Sequence, residues 1–159
     1  TLVPPAPLTL AGPAPLALEI AHSATDGPQA ASPAFAPGEQ VHLTVTPSRD
    51  AHVYCYLHDE NRQLVRFFPN RFQQDSRVAT AGLTLPGSSR FELVMNSRGV
   101  PETIACFATD RDVLNELPAR LNTGDLVPLK GATLDQVRAA FINVSGGRFA
   151  HESVELRSR

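Results

Sequence analysis

Residues 40–70 read QVHLTVTPSRDAHVYCYLHDENRQLVRFFPN and contain three short segments in which apolar and polar side chains alternate. The segments are residues 40–46, 51–58 and 63–68, and each is followed by a polar turn or a proline. Alternation with a period of two residues is typical of a strand with one face on a core. The pattern predicts a three-stranded meander, in which the short turn around Arg49 joins the first two strands as a hairpin.

The alternation also predicts which side chains face the core. In the first strand Val41, Leu43 and Val45 share one face, and in the second Val53, Cys55 and Leu57 do so. The opposite face of the second strand carries histidines and tyrosines, and we expect that face to meet solvent.

Further strands are predicted at residues 16–20, 78–85, 90–95, 102–108 and 148–157. Helices are predicted at residues 110–121 and 133–143, the second because Thr133 and Gln136 have the spacing of a capping box. Gly146 and Gly147 are expected to end that helix. The fold class that follows is mainly β, a β-sandwich that is immunoglobulin-like in outline, with one or two short helices near the C-terminal end.

Proline and charge are unevenly distributed along the chain. Residues 1–37 hold eight of the 14 prolines and two charged residues, Glu19 and Asp26. Residues 1–15 are therefore predicted to be a Pro/Ala-rich linker, and residues 16–159 a single β-sandwich domain.

The charge balance argues against some classes of partner. The net charge is −2, and from Gly38 onward basic and acidic residues are equal in number, 14 of each. Nucleic acid is therefore not an expected partner. No apolar run approaches the roughly 20 residues of a membrane-spanning helix, so we expect no membrane span in this chain.

The two cysteines, Cys55 and Cys106, fall at apolar positions of two predicted strands. They are compatible with a disulfide across the sandwich, with one between neighbouring strands, or with two buried free thiols. Their spacing does not fit a zinc site.

Three histidines lie on the outward faces of the first two strands of the meander: His42, His52 and His58. A metal site there would need all three rings to converge, and no carboxylate is placed to orient them. We expect ordinary solvent-facing histidines, with neither a metal nor a cofactor. No nucleophile, base and orienting group can be assembled from the sequence, so we expect no enzyme.

Aromatic and arginine side chains cluster around the second and third strands of the meander. This composition is favoured at protein interfaces. Because alternation sends Phe67 and Phe68 to opposite faces, at least one of them should lie away from a single-sided core. The predicted interaction surface consists of Tyr54, Tyr56, Arg66, Phe68, Arg71 and Phe72.

Several short motifs resemble those of the bacterial domain-of-unknown-function family 4384. They are the turn Pro37-Gly38-Glu39, the strand around Tyr54 and Tyr56, the strand end Phe68-Pro69-Asn70, the pair Leu85-Pro86 and the segment at residues 102–108. The resemblance spans roughly residues 35–120. It implies an envelope-associated, modular and non-catalytic domain, with no catalytic residues to carry over.

The residues and the resemblance together predict a non-catalytic, extracytoplasmic interaction module of a bacterial envelope or secretion-associated protein. Its expected location is the periplasm or the outer membrane, and its expected partner is another envelope or secretion-system protein. The alternative is a cell-wall glycan-binding or small-ligand-binding β-sandwich that uses Tyr54, Tyr56 or Phe68 as a stacking platform.

Overall fold

The computed structural model describes residues 15–24, 34–36, 38–86, 91–96 and 100–158. Within these residues the chain forms nine strands and one α-helix, α1 (Leu134–Ser145). The strands are β1 (Leu18–Ala24), β2 (Ala34–Phe35), β3 (Val41–Pro47), β4 (Ala51–His58), β5 (Leu64–Phe68), β6 (Arg77–Val78), β7 (Leu83–Leu85), β8 (Glu102–Thr109) and β9 (Phe149–Ser158).

The strands form two sheets, and the predicted sandwich is confirmed. The three-stranded sheet has the order β1-β3-β7, and all its pairs are antiparallel. The six-stranded sheet has the order β2-β9-β8-β4-β5, with β6 on β4. Only the short pair of β2 with β9 is parallel. No helix in the described residues combines the length and apolar character needed to cross a membrane.

The predicted hairpin between β3 and β4 is wrong. β3 pairs with β1 and β7, whereas β4 pairs with β8, β5 and β6. The turn after Pro47 therefore carries the chain from one sheet to the other. Of the predicted meander, only the β4–β5 hairpin is present.

The main core lies between the two sheets. It is filled by the predicted apolar face of β3, by Val53 and Cys55 of β4, and by side chains of β8 and β9. Val41, Leu43 and Val45 are each at most 1% exposed. The period-two pattern of β3 thus predicted its buried face correctly.

A second core lies on the opposite face of the six-stranded sheet. There the helix α1 and residues 113–132 cover the tyrosines of β4 and the side chain of Phe107. Phe141 of α1 stacks on Phe107 with ring centroids 4.7 Å apart. The face of β4 that was predicted to meet solvent is therefore buried, because the C-terminal part of the chain folds over it.

The helix predicted at residues 110–121 is wrong. Two short 3₁₀ turns, Leu114–Glu116 and Ala119–Leu121, occupy part of this segment. Pro118 lacks a backbone N–H and restricts the residue before it, and Leu117 is extended, with ψ at 151°. An α-helix cannot continue through this point.

The helix predicted at residues 133–143 is confirmed as α1. The Thr133 hydroxyl accepts from the backbone N–H of Gln136, and the Gln136 side chain accepts from the N–H of Thr133. Gly146 ends the helix in the left-handed conformation, with φ at 65°, which glycine adopts without strain.

Phe67 and Phe68 do not lie on opposite faces. A β-bulge interrupts the β4–β5 register, so Cys55 lies opposite Phe68 and Tyr56 opposite Arg66. The extra residue, Phe67, breaks the alternation. Both phenylalanines therefore join the core between the sheets.

The remaining predicted elements were found in part. The strand predicted at 16–20 forms two residues later, as β1, and those predicted at 102–108 and 148–157 form β8 and β9. The segment predicted as one strand at 78–85 is split between β6 and β7 by a turn at Gly82. Of the strand predicted at 90–95, residue 90 lies outside the described residues, and the rest forms only an isolated bridge between Gln40 and Val94. Apart from Pro15, the predicted linker lies outside the described residues.

Candidate functional site

A groove runs across one end of the sandwich, where β8 ends and β9 begins. It consists of two adjoining cavities of about 370 and 290 Å³, which share Asp110 and Arg148 in their walls. We call it the arginine groove, after Arg49, Arg111 and Arg148. The rest of its wall is made by Pro15, Leu16, Thr109, Val113, Ser145, Gly147 and Phe149.

One wall of the groove is the loop that follows β8, and a buried tyrosine holds it. The Tyr54 hydroxyl donates to Asp112 Oδ1 at 2.9 Å and accepts from the backbone N–H of Val113, also at 2.9 Å. Burial raises the pKa of Tyr54 to about 12, so the hydroxyl keeps its proton at physiological pH. Tyr54 therefore holds the loop in place from the side of the core.

The opposite wall is the C-terminal end of α1. The glycines at 146 and 147 end the helix with positive φ angles of 65° and 84°, and the chain then places Arg148 at the rim. Arg111 Nη2 donates to the carbonyl oxygen of Val144 at 3.0 Å and so joins the two walls. The Ser145 hydroxyl donates back to the carbonyl oxygen of Phe141.

The third side is formed by the turn between the two sheets. Ser48 exchanges hydrogen bonds with the backbone of Ala17, through its N–H and its hydroxyl, and thereby holds the chain just before β1. Arg49 donates to both carboxylate oxygens of Asp110, at 2.9 and 3.2 Å. This fork geometry orients Arg49 along the groove.

The electrostatics of the groove favour an anion. Arg49 is paired with Asp110, and Arg111 makes a two-point ion pair with Glu116. The hydrogen bonds from Arg111 lower the pKa of Glu116, so this pair stays charged in mildly acidic solution. Arg148, in contrast, is exposed and makes no side-chain hydrogen bond or ion pair within the part of the chain that the structure describes. The side chains that line the groove carry three positive charges and one negative charge, and the carboxylates of Asp112 and Glu116 lie just outside the lining.

The predicted interaction surface is wrong for four of its six residues. Tyr54 and Tyr56 lie in the second core, and Phe68 lies between the sheets. Arg66 is also buried, and its guanidinium donates to the carbonyl oxygen of Pro69 and to Asn122 Oδ1. Tyr54, Tyr56 and Arg66 are buried because the segment after β8 and α1 cover that face of the sheet. Phe68 is buried because it lies opposite Cys55 and faces the core between the sheets.

Arg71 and Phe72 are exposed, as the prediction required. Arg71 binds Asp125 through its side chain and its backbone N–H. Phe72 is 43% exposed. Without the four buried residues, these two do not form the predicted continuous surface.

The disulfide between Cys55 and Cys106 is present. The two residues lie directly opposite each other on β4 and β8, with Cα atoms 4.1 Å apart. Of the two bridged arrangements, the structure therefore selects neighbouring strands. Both sulfur atoms are buried in the core between the sheets.

The three histidines do not converge, because His42 lies on β3 in one sheet while His52 and His58 lie on β4 in the other. Among the described residues no group of three metal-ligating side chains is arranged to hold an ion. His52 Nδ1 lies 2.7 Å from the hydroxyl oxygen of Ser76. Ser76 is 3% exposed, and this contact ties β4 to the segment before β6.

Sequence analysis missed the arginine groove. Asp110 and Arg111 look like a charged helix start, and nothing in the sequence places Arg49 beside them, 61 positions away. The available signal was Gly146-Gly147-Arg148, a helix end followed at once by an arginine.

The comparison with known families covers the middle of the chain, from β2 to the loop after β8. Residues 34–112 match the model of a family described as "Domain of unknown function (DUF4384)". This part of the chain belongs to that family. The resemblance seen in the sequence is thus confirmed. No curated protein and no solved structure shows a significant match to the chain.

The family match divides the groove. Asp110 and Arg111 lie inside the matched residues, whereas Arg148 lies beyond them. The strand β1, the helix α1 and the strand β9 also lie outside the match.

Proposed function

We propose that this chain is a non-catalytic binding module of a bacterial envelope or secretion-associated protein, and that its arginine groove binds an acidic segment of a partner protein. The observation that carries the proposal is the guanidinium of Arg148, which has no partner among the described residues and lies beside two arginines held in place by carboxylates. Guanidinium groups bind carboxylates through paired, charge-assisted hydrogen bonds.

The shape of the groove supports an extended segment as its ligand. Two adjoining cavities offer more room than a single small ion needs, and the apolar residues Val113, Leu16 and Phe149 line them together with the charged groups. A peptide with acidic side chains would place its carboxylates on the arginines and its backbone over these apolar residues.

The chemistry of the lining supports binding rather than catalysis. Two hydroxyl groups line the groove, and both already donate to backbone carbonyls, Thr109 to Arg111 and Ser145 to Phe141. No histidine stands among the described residues that line it. A nucleophile with an adjacent base is therefore not assembled there.

The proposed location outside the cytoplasm is supported by the disulfide. Structural disulfides persist in oxidising compartments such as the bacterial periplasm and are rare in the cytosol of most bacteria. The glycan-binding alternative loses its platform, since Tyr54, Tyr56 and Phe68 are buried.

The test is binding of a fluorescein-labelled hexapeptide of alternating Asp and Glu, followed by fluorescence anisotropy. Replacing Arg148 by Gln removes one charge-assisted contact, so we expect the dissociation constant to rise about tenfold or more. The matched control is Arg157→Gln, near the far end of β9, which should leave the constant unchanged. The corresponding Asn/Gln peptide should not bind.

Two results would count against the proposal. One is equal binding by the wild type and Arg148→Gln. The other is preferential binding of peptidoglycan fragments over the acidic peptide, which would favour the glycan class instead.

A further inference from the structure

Asp110 carries the only negative charge among the described residues that line the arginine groove. Like Arg148, it lies in the wall of both cavities, whereas Glu116, the partner of Arg111, lies outside the lining. The Asp110 side chain is 47% exposed, so a ligand in the groove meets its carboxylate directly. Because like charges repel, this carboxylate opposes the binding of the acidic segment proposed above.

The Asp110 carboxylate is bound to Arg49. Arg49 Nε donates to Asp110 Oδ1 at 3.1 Å, and Nη2 donates to Oδ1 at 2.9 Å and to Oδ2 at 3.2 Å. These bonds occupy the edge of the guanidinium that Nε and Nη2 form. A fork of this kind binds one carboxylate at a time. A ligand carboxylate therefore reaches this edge of Arg49 only by taking the place of Asp110.

Asp112, two positions further along the same loop, has partners of a different kind. Its Oδ1 atom accepts from the Tyr54 hydroxyl at 2.9 Å and from the backbone N–H of Leu114 at 3.1 Å. It does not belong to the described residues that line the groove. Asp112 therefore holds the loop, whereas Asp110 faces an incoming ligand.

The pair of Arg49 and Asp110 is open to exchange. The two side chains are 40% and 47% exposed, and an ion pair at this exposure contributes little net stability to a fold. Another carboxylate can therefore replace that of Asp110 at little cost. Arg148 lines the same two cavities, has no side-chain partner among the described residues, and offers a ligand its first contact. A second carboxylate of the same ligand is then held close to Arg49.

We propose that Asp110 is a resident competitor for the ligand of the groove. It holds Arg49 in the free protein, and a carboxylate of the acidic segment displaces it from Arg49 on binding. This assignment rests on the proposed function, because it concerns the same groove and the same class of ligand. It makes Asp110 a specificity-determining residue. A segment with one carboxylate gains little from displacing Asp110 while Arg148 is available, whereas a segment with several carboxylates gains Arg49 as well.

Asp110→Asn tests the competition, because it removes the negative charge and keeps the shape of the side chain. We expect this variant to bind the labelled Asp/Glu hexapeptide at low salt with a dissociation constant about three- to tenfold lower than that of the wild type. Added salt should reduce this difference. The matched control is Asp112→Asn, which removes the same charge from the same loop outside the lining, and whose amide oxygen can still accept from Tyr54. The dissociation constant of the control should lie within about twofold of the wild-type value.

The side-chain N–H signal of Arg49 gives a second reading, in the wild-type protein itself. In the free protein the Nε–H group of Arg49 donates to Asp110. Because the peptide displaces Asp110, this signal should move during a titration of ¹⁵N-labelled protein with the hexapeptide, and Asp110→Asn alone should move it too. An Arg49 Nε–H signal that stays in place while the backbone amides of the groove move would overturn the proposal.

The measured affinities distinguish a failure of this proposal from a failure of the proposed function. Equal or weaker binding by Asp110→Asn, with circular dichroism showing that the variant is folded, would overturn this proposal while the groove remains a binding site. Equal tightening by Asp112→Asn would also overturn it, since net charge alone would then explain the gain. No binding by either the wild type or Asp110→Asn would overturn the proposed function together with this proposal.

Discussion

At the residue scale, two tyrosines two positions apart on β4 have different roles in the same core. Tyr54 and Tyr56 are both 0% exposed and both contact Phe141. The Tyr54 hydroxyl holds the wall of the arginine groove, whereas the Tyr56 hydroxyl is buried and has no hydrogen-bond partner among the residues that the structure describes. A buried polar group that has a partner stabilises a fold, and one without a partner destabilises it.

This difference gives a paired prediction. Tyr54→Phe should lower the free energy of unfolding by about 1–3 kcal/mol, because the buried N–H of Val113 loses its acceptor and the carboxylate of Asp112 loses one of its donors. Tyr56→Phe should leave the free energy of unfolding unchanged or raise it, since it removes a hydroxyl that has no hydrogen-bond partner in the described part of the chain. Urea unfolding of the two variants beside the wild type measures both. Equal losses would contradict the assigned roles.

Sequence alternation predicted the two faces of β4 correctly and the environment of one face wrongly. The period of two residues reports which side chains share a face. The period does not report which element packs against that face. Here the covering element is α1, which lies about 80 residues further along the chain. The same limit explains Phe67 and Phe68, because nothing in the sequence marked the bulge that turns both inward.

At the element scale, the central strands of the six-stranded sheet are held by a covalent bridge. β4 and β8 pair over seven residue pairs, and the disulfide joins the middle pair. Elements with a strong local signal were predictable: β3, β8 and the capped helix α1. Elements that depend on distant contacts were not. The assignment of β3 and β4 to different sheets is of that kind. The break at Pro118, in contrast, had a local signal in the proline itself, and the predicted helix at 110–121 ignored it.

Removal of the bridge should weaken the whole fold. Because the disulfide closes a loop of 51 positions, the chain-entropy model gives a stabilisation of about 4 kcal/mol. The double variant Cys55→Ala, Cys106→Ala should lower the free energy of unfolding by about 2–4 kcal/mol or more, since it also removes two buried sulfur atoms. Guanidinium unfolding measures this. A loss below about 1 kcal/mol would show that the bridge adds little to a sheet already held by its packing.

At the scale of the whole molecule, the fold brings together charged residues from three distant parts of the chain. Arg49 follows β3, Asp110 and Arg111 follow β8, and Arg148 follows α1. No short motif contains these four residues. The sequence therefore predicted a binding module, but the predicted binding surface lay on tyrosines that are buried. The family match ends at residue 112, so the helix and strand beyond it complete the groove.

The groove also lies beside the start of the described chain. Pro15 and Leu16 line one of its cavities, next to the predicted Pro/Ala-rich linker. A ligand bound there would sit at the point where such a linker would join the domain.

The central claim is that the arginine groove is the binding surface, and NMR titration of ¹⁵N-labelled protein with the Asp/Glu hexapeptide tests it most directly. We predict that the amide signals that move with peptide concentration belong to Asp110, Arg111, Gly146, Gly147 and Arg148, and that added salt reverses the shifts. The same titration should leave the amides of the β5 edge and of residues 71–73 in place. Shifts confined to those other surfaces, or no shifts at millimolar peptide, would contradict the claim.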